Sequence, residues 1–329
     1  MKDLVRKVTE AFGPSGAEDA VREVIRKEVQ PYVDEIRVDA LGNLIAHKKG
    51  NGGKKVILDG HMDEIGLMVT RIDDDGFLRF GTIGGVNPFT SLAQRVYFGN
   101  GTVGVIGSER VDEPKDLKME KLFIDIGAKD RKEAEAKVRV GDSCAFLQPF
   151  VDMGDRIVAK AMDDRVACAA IIETLKGLTT NHDIYAVFAT QEEVGLRGAR
   201  AAAFGIEPDV GIALDVTPTG DTPKGRSANV SLGKGAAIKV MDRSIICHPA
   251  LKNYMVKIAE EKGIKHQLEV LEMGGTDAGA IQMTRAGIPA GVISIPCRHV
   301  HSPCEMVDMN DYENCVKLTK ALCESPLTF

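Results

Sequence analysis

The sequence DIYAVFATQEEVG, residues 183–195, joins a short apolar run directly to two adjacent carboxylates. Residues 184–189 have the length and composition of a parallel strand that is covered on both faces. The Ala-rich residues 196–203 predict the helix that follows this strand. The stretch therefore predicts an open α/β sheet. It places Glu192 and Glu193 at the carboxyl end of a strand, where such sheets build their sites.

The two glutamates have a simpler explanation when they are considered alone. Acids are common in the first turn of a helix, where the positive end of the helix dipole stabilises them. Three other apolar stretches argue against this explanation, because they also end in acids or histidines. They are KKVILDGHMDE (54–64), VGIALD (210–215) and IPAGVISIPCRHVHS (288–302). We expect the four strand ends to converge on one edge of the sheet.

The overall composition is that of a soluble globular protein with more than one domain. The chain has 329 residues, of which 44% are hydrophobic and 27% charged. Its net charge of −6 gives no indication of a nucleic-acid partner. The seven scattered cysteines fit reduced thiols better than a disulfide framework. Because no stretch is typical of a signal peptide or a membrane span, we expect a cytoplasmic protein without membrane contact.

The chain changes character between residues 66 and 159. Short alternating runs are joined there by turn signals such as DDG (74–76) and GNG (99–101), which are typical of a small antiparallel barrel or sandwich. A helix is predicted inside this block at residues 130–138. Helices and strands alternate on both sides of it. We therefore expect residues 1–65 and 160–329 to form one α/β domain, with residues 66–159 inserted as a second domain.

Individual elements of the α/β domain can also be predicted from the sequence. Apolar residues at helical spacing predict helices near residues 165–175, 248–262 and 310–322. Ser15 and Glu18 have the spacing of a capping box, which predicts that Ser15 caps the second helix.

Candidate metal ligands lie where predicted strands end. The pair Asp163 and Asp164 is explained equally well as a helix cap or as part of a metal site. A hydrolytic site with two metals needs oxygen and imidazole donors from separate elements, including a carboxylate that bridges both ions. His61 lies two residues before Asp63, which suggests an imidazole ligand oriented by a carboxylate. A structural histidine is the simpler alternative.

Two further motifs are less specific. A structural zinc cluster of Cys297, His299, His301 and Cys304 is disfavoured, because its spacing matches no paired zinc-finger pattern. A single histidine ligand from this stretch is the preferred interpretation. The sequence GGTDAG, residues 274–279, opens a helix with small residues that could seat a substrate group against backbone amides. It lacks the lysine and the glycine spacing of nucleotide-binding loops.

Taken together, the motifs carry a family resemblance that spans nearly the whole chain. The motifs are GHMDE (60–64), MDDR (162–165), QEEVG (191–195), ALDV (213–216) and HSP (301–303), together with AFGPSG (11–16) and GGTDA (274–278). In this order they resemble the tetrahedral-type, or glutamyl aminopeptidase, family of dinuclear metallo-aminopeptidases. The resemblance implies a mixed, mainly parallel sheet flanked by helices, as in zinc peptidases, with an inserted small antiparallel β-barrel.

The resemblance also implies a metal site with two divalent ions per chain. Asp163 would bridge the two ions, and His61 and Asp215 would complete the coordination of one of them. Glu193 and His301 would complete the other. Zinc is the expected metal, with cobalt or manganese as alternatives. The resemblance further implies a cis peptide bond between Asp163 and Asp164.

The implied activity is removal of the N-terminal residue from peptides that have a free N-terminus. Glu192 would act as general base towards a water that the two metals acidify, and Asp63 would support His61. A deacylase or dipeptidase with the same chemistry is the nearest alternative. A glycoside hydrolase is disfavoured, since the chain has no Trp and only 5% aromatic residues for sugar stacking. A non-catalytic metal-binding protein is disfavoured because Glu192 is present.

The resemblance finally implies self-association. The inserted domain is similar to one that mediates dimer contacts, from which the family builds hollow tetrahedral dodecamers. The preferred N-terminal residue does not follow from the motifs.

Overall fold

The computed structural model describes residues 1–225 and 229–328. Within these residues the strands form two systems, a mixed sheet of eleven strands and a closed antiparallel barrel of six. Helices cover both faces of the sheet. The predicted fold class, a mixed α/β sheet with a small antiparallel barrel, is confirmed.

The helices are numbered in chain order. They are α1 (Lys2–Glu10), α2 (Asp19–Val29), α3 (Pro88–Ser91), α4 (Arg131–Glu135), α5 (Met162–Leu175), α6 (Arg197–Ile206), α7 (Pro249–Glu261), α8 (Asp277–Gln282) and α9 (Met309–Glu324). Short 3₁₀ turns occur at Gln30–Tyr32, Pro114–Asp116 and Met119–Lys121.

The strands are numbered in the same way. They are β1 (Glu35–Val38), β2 (Leu44–Lys48), β3 (Lys55–His61), β4 (Gly66–Ile72), β5 (Leu78–Ile83), β6 (Arg95–Phe98), β7 (Val103–Ser108), β8 (Leu122–Asp125), β9 (Ser143–Phe146), β10 (Val151–Asp152), β11 (Arg156–Ala159), β12 (Asp183–Ala189), β13 (Val210–Pro218), β14 (Ala236–Met241), β15 (His266–Val270), β16 (Ala290–Arg298) and β17 (Glu305–Asp308).

The parallel centre of the sheet positions the candidate site. Strands β12, β3, β13 and β16 lie side by side in parallel, so their carboxyl ends share one edge. The register places His61 opposite Ala189, and Asp215 opposite Ser294. The apolar runs of these strands are buried because helices pack on both faces. The strands beyond this centre pair antiparallel, except that β14 and β15 are parallel.

Apolar packing divides into three clusters. Helices α1, α2, α5, α7 and α9 cover one face of the sheet, whereas α6 and α8 cover the other. The third cluster fills the barrel, whose strands follow one another around it in the order β4, β5, β8, β7, β6 and β9. Helix α5 is buried along almost its whole length, because the sheet lies on one side of it and other helices lie on the other. The start of α5 is therefore held firmly at the edge where the parallel strands end.

Some local predictions require correction. The Ser15 capping box is wrong, because α2 begins at Asp19 and the Ser15 hydroxyl donates to Asp63 Oδ2 instead, at 2.6 Å. The predicted helix at 130–138 is shorter and ends at Glu135.

All seven cysteines are free thiols. No helix in the described part of the chain is both long and apolar enough to cross a lipid bilayer.

Candidate metal centre

The ends of the parallel strands bring the predicted site residues to one cleft. His61 ends β3, Glu192 and Glu193 follow β12, Asp215 lies in β13, and His301 follows β16. Asp163 is in the first turn of α5, where its φ/ψ values of −74° and 103° are not helical. The cleft has a volume of about 490 Å³, and all six of these side chains line it.

The Asp163 carboxylate lies between the two histidines. Its Oδ1 is 3.1 Å from His61 Nε2, and its Oδ2 is 3.3 Å from His301 Nε2. His301 Nε2 is also 3.4 Å from Glu193 Oε2. One carboxylate thus faces one imidazole nitrogen with each oxygen, which is the arrangement that a bridging ligand needs. The peptide bond between Asp163 and Asp164 is cis.

The described residues contain two groups of possible ligands at the cleft, and Asp164 is fully buried beside it. One group is His61, Asp164 and Asp215, and the other is Asp163, Glu193 and His301. Within each group the donor atoms lie within 4.8 Å of one another. Imidazole nitrogens and carboxylate oxygens are donors that suit zinc and related divalent ions.

Asp164 is the member of these groups that the family resemblance did not imply as a ligand. Its Oδ2 accepts a hydrogen bond from the backbone N–H of His61 at 3.2 Å. Its other oxygen, Oδ1, is buried without a hydrogen-bond partner among the described residues, as is Oε1 of Glu193. Buried carboxylate oxygens nearly always have a partner. These two orphaned atoms, together with the donor set, fit a centre that holds cations.

The pKa shifts of the acids in the cleft also fit a site that holds cations. Burial raises the pKa of Glu193 to about 8, and the charge of Asp163 adds to this shift. Burial and the charge of Asp163 also raise the pKa of Asp215 well above its usual range. Burial raises the pKa of Glu192, although His61 opposes the shift. The acids therefore crowd one another in a dry site, and a bound cation would relieve this repulsion.

Asp63 is buried next to the cleft and contacts His61 and the backbone of Glu192 and Glu193. It is fully buried, and its Oδ1 is 3.4 Å from His61 Nδ1. Its two oxygens accept the backbone N–H groups of Glu192 and Glu193 at 3.0 and 3.2 Å, and Oδ2 also accepts the Ser15 hydroxyl. A buried carboxylate in this position fixes the orientation of the imidazole and the place of both glutamates.

Glu305 plays a similar part for Asp163 and His301, and the sequence motifs did not single it out. Its Oε2 accepts the backbone N–H of Asp163 at 2.9 Å, and its Oε1 accepts the backbone N–H of His301 at 2.8 Å. Glu305 is buried at the start of β17. It links the element that carries Asp163 to the loop that carries His301. The sequence contains only a weak signal for this role, an acid shortly after the HSP motif.

The remaining sequence motifs have different outcomes. Gly274, Gly275 and Thr276 do line the cleft, and Thr276 Oγ1 is buried without a hydrogen-bond partner among the described residues. Cys297 and Cys304 belong to neither group of possible ligands in the described residues. Cys304 is exposed, whereas Cys297 is buried.

Residues 42–318 match the family model described as M42 glutamyl aminopeptidase. This match includes every one of the predicted ligands and covers most of the chain. The chain belongs to the M42 glutamyl aminopeptidase family.

Individual members of the M42 family agree with this assignment over the full chain length. A protein of Acetivibrio thermocellus that bears the provisional name aminopeptidase is 51% identical over 98% of each chain. The lysyl aminopeptidase of Pyrococcus furiosus is 39% identical over 99% of this chain and 98% of its own. The solved TET1 peptidase of Pyrococcus horikoshii is 34% identical, with a TM-score of 0.89 over 98% of this chain and 99% of its own.

Membership of the M42 family establishes the class of activity that the motifs predicted. The chain is a metal-dependent aminopeptidase that acts on peptides. Family membership confirms the expectation of an enzyme that uses divalent metal, and the candidate ligand groups are consistent with it.

Proposed function

We propose that the chain hydrolyses the first peptide bond of substrates with a free N-terminus, using Glu192 as general base at a centre of two divalent ions. The observation that supports this proposal is the placement of Asp163 between His61 and His301, with Glu192 beside them. Among the described residues, Glu192 belongs to neither group of possible ligands. It is therefore free to handle protons while its neighbour Glu193 coordinates.

The proposed ligands divide into two sets that share Asp163. His61 and Asp215 would hold one ion, and Glu193 and His301 would hold the other. Zinc is the proposed metal, with cobalt or manganese as alternatives, because these ions accept mixed imidazole and carboxylate coordination. When bound, the pair of ions would supply acidification of a water and polarisation of the peptide carbonyl. Asp164 accepts the backbone N–H of His61, and its carboxylate belongs to the same group of possible ligands as His61 and Asp215.

Glu192 carries out the proton transfers in this proposal. Its Oε2 is 3.8 Å from His61 Nε2, and its side chain is 11% exposed to the cleft. The carboxylate takes a proton from the attacking water and then donates it to the departing amine. Asp63 keeps Glu192 in place by accepting its backbone N–H, and it stabilises the orientation of His61.

The proposal is tested by comparing Glu192→Gln with Glu193→Gln. Glu192→Gln should keep both metals and lose turnover by about 10²–10⁴-fold, because general-base assistance typically contributes that much. Glu193→Gln should lose one metal instead, since a charged donor becomes neutral, and excess metal should partly restore its activity. Metal content by elemental analysis and steady-state kinetics on aminoacyl chromogenic substrates are measured for both variants.

Several outcomes would contradict the proposal. Loss of metal from Glu192→Gln with full occupancy in Glu193→Gln would reverse the two roles. Full peptidase activity of a chelated, metal-free preparation would exclude metal catalysis. Cleavage of N-acylated substrates in preference to free peptides would favour the deacylase alternative, and cleavage of dipeptides alone would favour a dipeptidase.

We further propose that the chain acts as a cytoplasmic homo-oligomer. The TET1 peptidase of P. horikoshii is described as assembling into a tetrahedron or a large octahedral shell. The similarity of the two chains over their full length supports a comparable assembly, a dodecamer built from dimers. We assign residues 1–65 and 160–329 to the catalytic domain. Residues 66–159, which contain the barrel strands, would form the domain for dimerisation and assembly.

A further inference from the structure

The loop between β5 and α3 connects the barrel to the metal centre. It contains Gly84 and Gly85, and Gly85 lines the same cleft as Glu193 and His301. The barrel therefore reaches the second group of possible ligands, although its strands lie outside the catalytic sheet.

Gly85 lies against the His301 ring so closely that no side chain fits between them. A Cβ at position 85 would overlap Nδ1 of His301 and would lie 2.8 Å from its Cε1. The ring is 40% exposed and can turn about its side-chain bonds, whereas the backbone that carries it is fixed. The His301 backbone is in the left-handed region at φ 59°, and its N–H donates to Glu305. A push on the Nδ1 edge would therefore turn the ring and displace Nε2, the atom that faces Asp163 and Glu193.

Gly84 lies equally close to Glu193, the other possible ligand that this loop approaches. A Cβ at position 84 would lie 2.7 Å from Glu193 Oε2 and 3.2 Å from Glu193 Cβ. Gly84 also has a φ of 73°, which side chains rarely adopt. The backbone of Glu193 is fixed by its hydrogen bond to Asp63. One loop of the barrel thus limits the side-chain positions of two ligands that come from different strands of the sheet.

We propose that Gly84 and Gly85 are positioning residues through which the barrel completes the metal centre, by holding Glu193 and His301 in their coordinating orientation. The inference rests on the ligand roles proposed above. It gives the inserted barrel a part in catalysis that is separate from any part in assembly. Gly85 is the sharper test position, because its φ lies outside the left-handed region and substitution there acts through the overlap.

The test compares Gly85→Ala with Gly81→Ala. Gly81 lies four residues earlier in β5, and a Cβ there would meet only Thr70 Cγ2 at 3.6 Å, an ordinary contact. Both variants are chelated and titrated with Zn²⁺ by calorimetry, and the visible spectrum of the Co²⁺ form is recorded. Gly85→Ala should weaken one of the two sites by about 10–100-fold, as changes in groups that orient a ligand typically do. Gly81→Ala should bind both ions like the original chain.

Activity gives a second readout of the same effect. The Zn²⁺ concentration that gives half-maximal activity should rise in Gly85→Ala, and kcat should recover at saturating metal. A general loss of stability would lower the melting temperature without weakening one site selectively. Two sites of unchanged affinity and an unchanged Co²⁺ spectrum in folded Gly85→Ala would overturn the inference.

A double variant covers the case in which Gly85→Ala folds poorly. In a His301→Ala background the ring is absent, so Gly85→Ala should cost no further stability. An equal loss of melting temperature in both backgrounds would show that the overlap with His301 is not the cause. Because metal affinity is measured without peptide, the proposed aminopeptidase mechanism can fail while this inference holds, and the reverse is also possible.

Discussion

Replacement of Glu305 should weaken the metal centre although Glu305 is not among the proposed ligands. Its two oxygens accept the backbone N–H groups of Asp163 and His301 at 2.9 and 2.8 Å. Leaving a buried N–H group without its acceptor costs about 1–3 kcal/mol. Glu305→Ala removes the acceptor of both N–H groups and should therefore cost about 2–6 kcal/mol in total.

Glu305→Gln should remove one of the two hydrogen bonds and keep the other. Its amide keeps one acceptor oxygen and turns an NH₂ group towards the other backbone N–H, so the loss should be about half of that in Glu305→Ala, or about 1–3 kcal/mol. The lost free energy is shared between folding and metal binding, because the two bonds hold Asp163 and His301 in the metal-free chain and in the metal-bound chain.

Two assays measure these two parts. Guanidinium unfolding of the metal-free chain gives the folding part, and calorimetric titration with Zn²⁺ gives the metal part. Glu324→Ala, an exposed acid at the end of α9, is the control and should stay within about 0.5 kcal/mol of the original chain. If Glu305→Ala changes the sum of the two free energies no more than this control does, Glu305 does not hold the two ligands.

Two further predictions follow from the cleft and from the barrel. Thr276→Val removes a buried hydroxyl that lines the cleft without a partner among the described residues, so KM should rise about 2–10-fold with little change in kcat, and the melting temperature should not fall. An unchanged KM for every aminoacyl substrate would show that Thr276 does not contact substrate. Deletion of residues 66–159 with a short linker should keep the helical content seen by circular dichroism but lower the oligomer mass in solution scattering. Retention of the native mass would exclude an assembly role for the barrel.

The sequence determined those features that depend on neighbouring residues. Apolar runs of strand length that end in acids or histidines predicted the buried strands β3, β12, β13 and β16, because burial on both faces requires such runs. Alternating short runs with hairpin turns predicted the barrel for the same local reason. The order of the motifs then predicted the family, which the match over residues 42–318 confirmed.

Local patterns were misleading where a side chain has a distant partner. Ser15 has the spacing of a helix cap, yet its hydroxyl donates to Asp63, 48 residues further along the chain. A hydrogen bond from a hydroxyl to a carboxylate is stronger than one between neutral groups, so the buried Asp63 determines where the Ser15 side chain points. Only the packing of the N-terminal segment against the end of β3 makes this choice possible.

The tertiary structure alone decided how the proposed ligands are held. Asp163 and Glu305 are 142 residues apart, and their hydrogen bond depends on the docking of α5 beside β17. The contact of Gly85 with His301 depends on where the barrel sits relative to the sheet. Sequence spacing determines which residues share a strand or a helical turn. The distances between ligands from separate elements are set by strand register and by packing between elements, and these arise only when the whole chain is folded.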